Sequence, residues 1–442
     1  MAIQLSERFT FIKLLRFTIP TIIMLIFTSV YNVVDGFFVS NYVGKTSFSA
    51  VNFITPFLLM LGAIGFMFGT GGSALISKTM GEGDTEKPNR IFSLIVYVSV
   101  LFGFVIAMLG FIFLRPLAAL LGAKNELLEN SIKYGRIIIF SLPAFILQFE
   151  FQSLFSTAGK PKVGLYITIA AGLTNIVLDA LFVAVLSWGL EGAALATVIS
   201  QCVGGGVPIL YFARPNKSFL RLGKTSFDGK ALIKVCSNGF SELLSQISMS
   251  LVSMLYNVQL LRYAGADGVA AYGVLMYVGF IFQAVFIGYS VGTSAIIGYH
   301  YGAQNRKELQ NLLRKSGILI GIFALGMFAS SLALSRPLAS LFVGYDAALF
   351  AMTVHAFGIF AFSFLCSGYA IFGSSFFTAL NNGGVSAAIS FLRTVVFQAA
   401  AVLLFPLFWG VDGIWLSIVA AELMTVIATL CFLAVNRKKY GY

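Results

Sequence analysis

Residues 188–192 read Trp-Gly-Leu-Glu-Gly, and residues 409–413 read Trp-Gly-Val-Asp-Gly, 221 positions further along the chain. Two other stretches repeat at this offset: Arg-Pro-Leu-Ala at 115–118 recurs at 336–339, and Ser-Ala-Leu-Ile at 73–76 recurs as Ser-Ala-Ile-Ile at 294–297. The offset is half the length of the 442-residue chain. Three separated matches on one offset indicate a duplicated sequence with almost no net insertion between its two copies.

The composition places this duplicated chain in a membrane. Apolar residues make up 58% of the chain and charged residues only 10%, whereas soluble domains carry about a quarter charged residues. So few charges cannot cover the surface of a soluble body of 47.7 kDa. A soluble globular protein is therefore excluded, and most of the surface has to face lipid.

Apolar runs long enough to cross a bilayer, about 20 residues each, recur along the whole chain. A β-barrel is disfavoured because its strands alternate polar and apolar residues over about 10 positions, whereas these runs are longer and apolar throughout. Divided at Gly, Pro and Asn, the sequence predicts twelve helices. They cover residues 12–40, 47–78, 90–114, 131–156, 162–187, 191–212, 231–261, 268–299, 309–335, 347–378, 385–409 and 412–435.

Six helices per copy is an even number, so both copies begin and end on the same side of the membrane. The sequence therefore predicts an all-α polytopic protein with two pseudo-symmetric six-helix bundles, related as parallel repeats by an axis along the membrane normal. We expect an N-lobe at 1–212, a basic linker at 213–230 and a C-lobe at 231–442. Two such bundles can rock around a shared cavity, which is a transporter design.

The Lys and Arg residues predict the orientation. With the N-terminus inside, the inner segments hold 21 of them and the outer segments hold 7, so both termini are expected in the cytosol. The net charge of +12 is then a topology signal that requires no nucleic-acid partner.

The four cysteines lie in apolar runs without a CxxC pair and are predicted to be buried hydrophobes. The first apolar run lacks a signal-peptide cleavage pattern.

Four polar residues within the predicted spans of the N-lobe fall at a similar depth. Asp35 lies about one turn from the outer end of the first helix, and Asp179 lies about 12 Å from the outer end of the fifth. Asn175 is one turn before Asp179 and shares its face, and Thr197 lies about 8 Å inside the sixth helix. Two carboxyl groups, an amide and a hydroxyl suit a proton or a hard cation such as Na⁺.

At the same offset the C-lobe has Tyr256, Val396, Ala400 and Ile418 in place of these four residues. The sequence therefore predicts that the cation chemistry is confined to one copy of a duplicated scaffold. Each aspartate alone could instead be a packing acceptor near the headgroups. With only two histidines in the chain, a metal site built from a histidine cluster is excluded.

Further ionisable residues within the spans are weaker candidates. Glu242, His355, Arg393 and Glu422 are predicted to line a substrate cavity in the C-lobe, with His355 and Glu422 near mid-depth. Arg393 is expected to have an acidic partner because an unpaired arginine in a span is costly. Glu242 either attracts a cationic substrate or pairs with Lys234 or Arg393.

Two residues of the N-lobe complete the set. Glu150 is expected to pair with Lys160 or Lys162 near the inner end of the fourth helix.

Pro20 interrupts the first helix about 22 Å from Asp35 and removes a backbone hydrogen bond. We hypothesise that Pro20 is a hinge, through which a bend of this helix links Asp35 to the shape of the cavity.

Several of these stretches resemble the multidrug and toxic compound extrusion (MATE) family over the whole chain. They are Val33-Val-Asp35, Asn175-Ile-Val-Leu-Asp179, Gly192-Ala-Ala-Leu-Ala-Thr197, Met80-Gly-Glu-Gly-Asp84 and Tyr301-Gly-Ala-Gln-Asn305. The set is similar to that of the prokaryotic DinF-like branch, with MepA-type drug pumps as near relatives. The resemblance implies a cation site at Asp35, Asn175, Asp179 and Thr197. It also implies antiport of H⁺ or Na⁺ against an organic cation in a bacterial cytoplasmic membrane, without a cofactor.

Two functions are consistent with these sequence features. The first is a cation-coupled multidrug antiporter, expected to be a monomer, whose partners are the lipid bilayer and cationic drugs that fit an aromatic, weakly acidic cavity. The alternative is a flippase for lipids or lipid-linked oligosaccharides, which often has a cavity rich in Arg and Lys. A membrane enzyme is not supported, because no HExxH or GxSxG motif occurs in the sequence.

Overall fold

The structure is a computed structural model that describes residues 4–120 and 123–442, apart from the side chains of Asn32, Lys45 and Ala266. Every regular element in these ranges is helical, so the predicted all-α class is confirmed. The α-helices are α1 (Phe11–Phe38), α2 (Lys45–Gly81), α3 (Lys87–Leu120), α4 (Asn125–Phe140), α5 (Leu142–Thr157), α6 (Pro161–Asp179), α7 (Gly189–Ala213), α8 (Gly229–Gly302), α9 (Arg306–Val343), α10 (Ala347–Phe360), α11 (Phe364–Ala379), α12 (Gly383–Phe391), α13 (Ala399–Leu404) and α14 (Pro406–Tyr440).

Short turns of other helix types extend or join these elements. Turns of π-helix continue α1 at Val39–Val43 and α6 at Ala180–Val185. Another π-helical turn, Leu392–Gln398, joins α12 to α13, and a 3₁₀ turn, Ala361–Ser363, joins α10 to α11. One π-helical turn directly follows Asp179, another contains Arg393, and the third begins one helical turn after Asp35; all three residues were singled out from the sequence. Such turns are rare and occur often at functional sites.

The predicted spans have helical counterparts in the described ranges. Ten helical segments there are long and apolar enough to cross a membrane, and the pair α4–α5 is an eleventh. The twelfth predicted span is the first arm of α8, residues 229–264, which carries polar side chains including Glu242 and Gln246. The second arm of α8, Asp267–Gly302, is one of the ten.

The fourth span is broken rather than continuous. α4 and α5 meet at Ser141 with a bend of 62°. Pro143 lies at the start of α5, where it has no N–H to donate and its ring obstructs continuation of the preceding helix. The single helix predicted at 131–156 is therefore two helices, and the first of them begins earlier, at Asn125.

Backbone conformation repeats at the same offset as the sequence. Gly44 and Gly265 both have a positive φ (113° and 65°), and so do Gly189 and Gly410 (61° and 56°). Each pair is 221 positions apart. Glycine suits these positions because a Cβ is disfavoured at positive φ. Gly265 divides the two arms of α8, and Gly410 interrupts α14 near its start, so equivalent breaks punctuate the two copies.

The register between the copies shifts by one residue in the fourth and fifth spans. α5 and α11 each contain 16 residues, but they begin 222 positions apart, as do α6 and α12. The counterparts of Asn175 and Asp179 expected at Val396 and Ala400 therefore move to Phe397 and Ala401 when counted from the helix starts. None of these C-lobe side chains is ionisable in either register.

Both ends of the described chain and the linker lie at one end of the bundle. The backbone N–H of Phe9 donates to Glu308 at the start of α9 (2.9 Å), and Gln310 donates to the carbonyl of Gly441 (3.0 Å). The linker reaches the start of α3, where Asn89 accepts from the backbone N–H of Arg221 (2.8 Å). We call this end the basic face; it is the end that the sequence predicts to be cytosolic.

The two copies approach each other backbone to backbone at the basic face. A Cβ added to Gly81 of α2 would lie 2.0 Å from the carbonyl oxygen of Tyr299, and one added to Gly302 would lie 1.9 Å from that of Lys78. Residues 78 and 299, like 81 and 302, are 221 positions apart, so this is one contact seen from each copy. The pseudo-two-fold axis therefore passes through the crossing of α2 and the second arm of α8.

Replacing Gly302 by Ala should destabilise this crossing. The new methyl group would overlap a backbone oxygen, and such overpacking costs about 1–3 kcal/mol. We expect a lower thermal midpoint of the detergent-solubilised protein and a further decrease in the Gly81→Ala/Gly302→Ala double variant. Gly317→Ala in α9 is the matched control because it has open space around its Cα. Equal midpoints for Gly302→Ala and Gly317→Ala would contradict the close crossing.

Candidate functional site

The polar residues predicted in the N-lobe lie on three helices that meet away from the basic face. α1 begins at Phe11, capped by Thr10, whose hydroxyl accepts from the backbone N–H of Lys13 (3.3 Å). It runs through the buried Pro20 as one helix to Phe38. Asp35 therefore lies in the last turn of α1, where its side chain is half-buried.

Asp179 is the last residue of α6 and is fully buried. Asn175, one turn earlier on the same face, is also buried. Neither carboxyl oxygen of Asp179 accepts a hydrogen bond from an N–H or O–H donor among the described residues, and neither does Oδ1 of Asn175. These oxygens are free acceptors in an apolar part of the protein, where an unsatisfied polar group is costly.

The structure brings the four predicted residues together. The Thr197 hydroxyl of α7 donates to Asp35 Oδ1 at 3.5 Å and also lies 3.1 Å from the carbonyl oxygen of Ala193. The carboxyl group of Asp35 lies close enough to Asp179 and to Asn175 to interact electrostatically with both. Residues far apart in the sequence thus form one cluster of carboxyl, amide and hydroxyl groups.

Two tyrosines at this cluster were missed by the sequence analysis. Tyr31 lies one turn before Asp35 on α1, and its hydroxyl accepts from Gln148 Nε2 at 3.5 Å. The buried Tyr134 of α4 lies beside Thr197 and within electrostatic range of both aspartates. The one-turn spacing to Asp35 could have indicated Tyr31. Tyr134 has no such signal, because its position depends on how α4 packs after the bend at Ser141.

The electrostatics of the cluster follow from the sequence of its helices. From Arg16 to Lys45 the only charged residue is Asp35, and from Lys162 to Glu191 the only one is Asp179. Two ionised carboxylates in contact repel each other strongly at low dielectric. With no basic side chain on these stretches, one proton or one small cation held between the oxygens would remove most of this repulsion.

The corresponding place in the C-lobe holds a neutral hydrogen bond. Tyr256 of the first arm of α8 lies 221 positions after Asp35, and its hydroxyl is 2.8 Å from Ser417 Oγ of α14. Both residues are buried. In the C-lobe this position is therefore occupied by two uncharged hydroxyl groups that bind each other.

The C-lobe candidates form an ion pair of their own. Arg393 binds the buried Glu422 through two nitrogens, with Nη2 at 2.7 Å and Nε at 3.0 Å from Oε1. The expectation of an acidic partner for Arg393 is confirmed. The half-buried Glu242 lies within electrostatic range of Arg393, which favours this partner over Lys234.

His355 lies apart from that ion pair. Its Nε2 is 2.9 Å from Oδ1 of Asp412, and both side chains are more than half exposed. Asp412 follows the break at Gly410, about 15 Å along α14 from Glu422. The structure therefore corrects the mid-depth position expected for His355, because its hydrogen-bond partner is near the end of a helix.

Glu150 also differs from its expectation. Its side chain is fully buried in α5, and neither of its oxygens has a hydrogen-bond partner among the described residues. Lys160 and Lys162 lie beyond the end of α5, and Lys162 is exposed. The predicted ion pair with either lysine is wrong, because Glu150 lies two helical turns inside the protein.

The fold and these sites together define a class of protein: an all-α polytopic membrane protein built from two related six-helix halves, one of which carries a buried carboxyl pair. The chain belongs to the MatE family. The family profile matches it twice, over residues 20–181 and 243–403, as a duplicated chain requires.

Relatives extend over nearly the whole chain. It is 24% identical to a multidrug export protein MepA of Staphylococcus haemolyticus, over 97% of this chain and 94% of that protein. It is 22% identical to a MepA of Staphylococcus aureus, with the same coverage.

Solved structures share the fold. An outward-facing multidrug resistance MATE family transporter superposes with a TM-score of 0.92 at 22% identity, covering 98% of this chain and 97% of that one. A MOP superfamily transporter from Pyrococcus furiosus, described as having a binding pocket of reverse polarity, also gives 0.92 at 22% identity, with 98% of both chains covered.

Breaking the Arg393–Glu422 pair should destabilise the protein. Arg393→Met leaves Glu422 buried without a partner, which costs about 3–5 kcal/mol. We expect a clearly lower thermal midpoint in detergent. The double variant Arg393→Met/Glu422→Met is the control, and it should recover most of the loss because no charge is left unpaired. An equal loss in the single and double variants would contradict this account.

Proposed function

We propose that this protein is a secondary active antiporter that exports lipophilic organic cations in exchange for H⁺ or Na⁺. The observation that carries the proposal is the close approach of Asp35 and Asp179, with no basic side chain between Arg16 and Lys45 or between Lys162 and Glu191. A site that is incomplete without a cation is what an antiporter needs, because it can be filled from one side of the membrane and emptied to the other.

The coupling follows from alternating access. In a rocker-switch cycle, the N-lobe (1–212) and the C-lobe (231–442) tilt about the crossing of α2 and α8, while the linker (213–230) holds them together at the basic face. A cation enters the site formed by Asp35, Asn175, Asp179 and Thr197 when the outer side is open. It leaves when the basic face opens, and the bound drug leaves in the opposite direction.

The chemistry of the site suits a proton in particular. Direct contact of two carboxyl groups is the arrangement that one shared proton stabilises. Na⁺ is the other candidate, because Asp, Asn and Thr oxygens are ligands for hard cations. Drug binding and cation binding then compete, either directly or through the shape of α1.

The cargo is proposed from charge and from the relatives. Arg393 is occupied by Glu422, so Glu242 remains as an acid of the C-lobe without a dedicated basic partner and can attract a cation. Glu242, Arg393, Glu422 and His355 stay candidates for the substrate cavity. The MepA relatives are described as multidrug export proteins, which supports a range of drugs rather than one metabolite.

A lipid or lipid-linked oligosaccharide flippase is the alternative, since the fold alone does not decide the cargo. Such a protein would need basic side chains to hold phosphates. Among the residues that the structure describes, the only lysine or arginine deep in the spans is Arg393, and its charge is neutralised by Glu422. The balance of charge therefore favours cationic cargo.

We further propose that the protein is a monomer in the cytoplasmic membrane of a bacterium, with both termini in the cytosol. We propose no cofactor and no enzymatic or nucleic-acid-binding activity for it.

Neutralising either aspartate should abolish coupled transport. Proteoliposomes containing ethidium would be given a pH gradient or a Na⁺ gradient separately, with Asp35→Asn and Asp179→Asn beside the unmodified protein. We expect gradient-driven dye movement in the unmodified protein only, because an amide cannot exchange a proton and is a weaker ligand for Na⁺. We expect the rate of dye transport to fall about 10-fold or more, because a shift of one pKa unit at a buried acid already corresponds to a tenfold change in proton binding.

Asp84→Asn is the matched control for this experiment. Asp84 is exposed at the basic face, where the backbone N–H groups of Lys87 and Glu86 hold the pKa of its carboxyl group below the usual range. Asn caps a helix as well as Asp does, so this variant should transport normally. No gradient-driven movement in the unmodified protein would refute the antiporter, and normal transport in both aspartate variants would refute the site.

Pro20→Ala tests the proposed hinge. Alanine restores the hydrogen-bond donor that proline lacks and stiffens α1. We expect slower dye efflux with unchanged cation affinity, because the change lies about 22 Å from Asp35. Efflux at the normal rate would show that bending at Pro20 is not needed.

A further inference from the structure

Glu150 is a third buried acid of the N-lobe, and the proposed exchange site does not use it. It is the ninth residue of the 16-residue helix α5, about 10 Å before the end of that helix. The side chain has no exposed surface, and both carboxyl oxygens lack a hydrogen-bond partner among the described residues. The Ser99 hydroxyl of α3 faces the carboxyl group and is itself buried and unpartnered.

No charged group compensates this carboxyl. The helices beside it carry no charged residue for long stretches: α2 has none between Lys45 and Lys78, α3 none between Arg90 and Arg115, and α7 none between Glu191 and Arg214. The charged or titratable groups on the other helices packed against α5 face other residues or, like the exposed Lys162 of α6, the surface. On α8, Lys234 faces Lys78 and Glu82, and Glu242 faces Arg393. On α4, Lys133 pairs with Glu191, and Arg136 lies over the ring of Phe111. On α6, Asp179 interacts with Asp35.

The scaffold itself does not require an acid at this place. α11 is the counterpart of α5, has the same length, and carries the buried Phe372 as its ninth residue. The position of Ser99 corresponds to the buried Ile320 of α9, 221 positions later. The C-lobe therefore fills the equivalent space with an apolar pair. The Glu150 carboxyl and the Ser99 hydroxyl are therefore not needed for packing in the N-lobe. Their presence indicates a chemical role.

An ionised carboxylate without a partner in this environment would cost several kcal/mol. Glu150 is therefore a neutral carboxylic acid in the conformation described, in which the basic face is closed. Its helix packs against α2 at Gly69, where an added Cβ would lie 2.8 Å from the backbone oxygen of Glu150. Two residues further on, Gly71 of α2 contacts the C-lobe, 2.0 Å from the carbonyl oxygen of Val235 by the same measure.

We propose that Glu150 is a second proton-binding site of the transporter, separate from the Asp35–Asp179 pair, and that it releases its proton to the basic face when the two lobes part there. Parting removes the support of the C-lobe from α2 at Gly71 and admits water to the carboxyl group beside Gly69. The O–H bond of the acid then breaks and the proton passes to water, leaving the carboxylate. The carboxylate is protonated again from the outer side after the basic face has closed, so each cycle carries one proton from the outer side to the basic face through Glu150.

This inference rests on the proposed antiport, and it predicts one more proton per cycle than the aspartate pair accounts for. The number of protons exchanged per drug molecule would be measured in proteoliposomes as the pH gradient that just balances a given drug gradient, with the membrane potential held at zero by K⁺ and valinomycin. We expect Glu150→Gln to transport ethidium with one proton fewer per molecule. Glutamine has the shape of the protonated acid and fits the closed state.

Glu86→Gln is the control for the loss of a carboxylate, because Glu86 is exposed and pairs only with Arg90 at the basic face. It should leave the number of protons unchanged. An unchanged number in Glu150→Gln would overturn the proposal while leaving the aspartate site intact. Loss of all gradient-driven movement in the unmodified protein would instead overturn the antiporter.

Infrared spectroscopy tests the protonation state without transport, and therefore also if Glu150→Gln transports poorly. The C=O stretch of a protonated carboxylic acid in an apolar site is separate from that of a carboxylate. We expect such a band at neutral pH in the unmodified protein and its loss in Glu150→Gln. The band should persist in Asp35→Asn/Asp179→Asn, in which both carboxyl groups of the proposed exchange site are gone. Absence of a band that depends on Glu150 would refute the proposal.

Discussion

The structure depends on one constraint: a carboxylate within an apolar span has to be neutralised by a partner, and the stretches of helix that carry the buried acids of the N-lobe contain no basic side chain. Asp35 and Asp179 meet each other, and Glu150 meets an uncharged serine. In the C-lobe the same constraint has a different solution, because Arg393 neutralises Glu422 permanently. The charges of the C-lobe pair are thus balanced within the protein, whereas the two aspartates of the N-lobe have no basic partner on their own stretches of helix.

This division explains how a duplicated scaffold can perform an asymmetric task. The backbone breaks at Gly44 and Gly189 recur at Gly265 and Gly410, and the glycines that let α2 cross α8 are related by the same two-fold axis. The side chains that carry charge do not recur. Tyr256 replaces Asp35, and Phe372 occupies the place of Glu150, so the C-lobe keeps the geometry of the N-lobe without its titratable groups.

Much of this could be predicted from the sequence, since depth along a membrane helix can be counted. That counting placed Asp35, Asn175, Asp179 and Thr197 at one level, and the structure brings them together. Contacts that depend on helix rotation or on a bend could not be counted. The break at Ser141 brings Tyr134 to the cluster, and the packing around α5 encloses Glu150 two helical turns from the end of that helix, away from the lysines that were its expected partners. The one-residue register shift between the copies lies in the same region.

The central claim is that the Asp35–Asp179 pair holds one cation that drug binding displaces. Calorimetric titration of the detergent-solubilised protein with ethidium, repeated in buffers of different ionisation enthalpy and with or without Na⁺, measures that displacement directly. The account predicts release of one proton for each drug molecule bound, or a binding constant that falls as Na⁺ rises. Either effect should be absent in Asp35→Asn and in Asp179→Asn. Drug binding that is indifferent to both pH and Na⁺ in the unmodified protein would contradict the account.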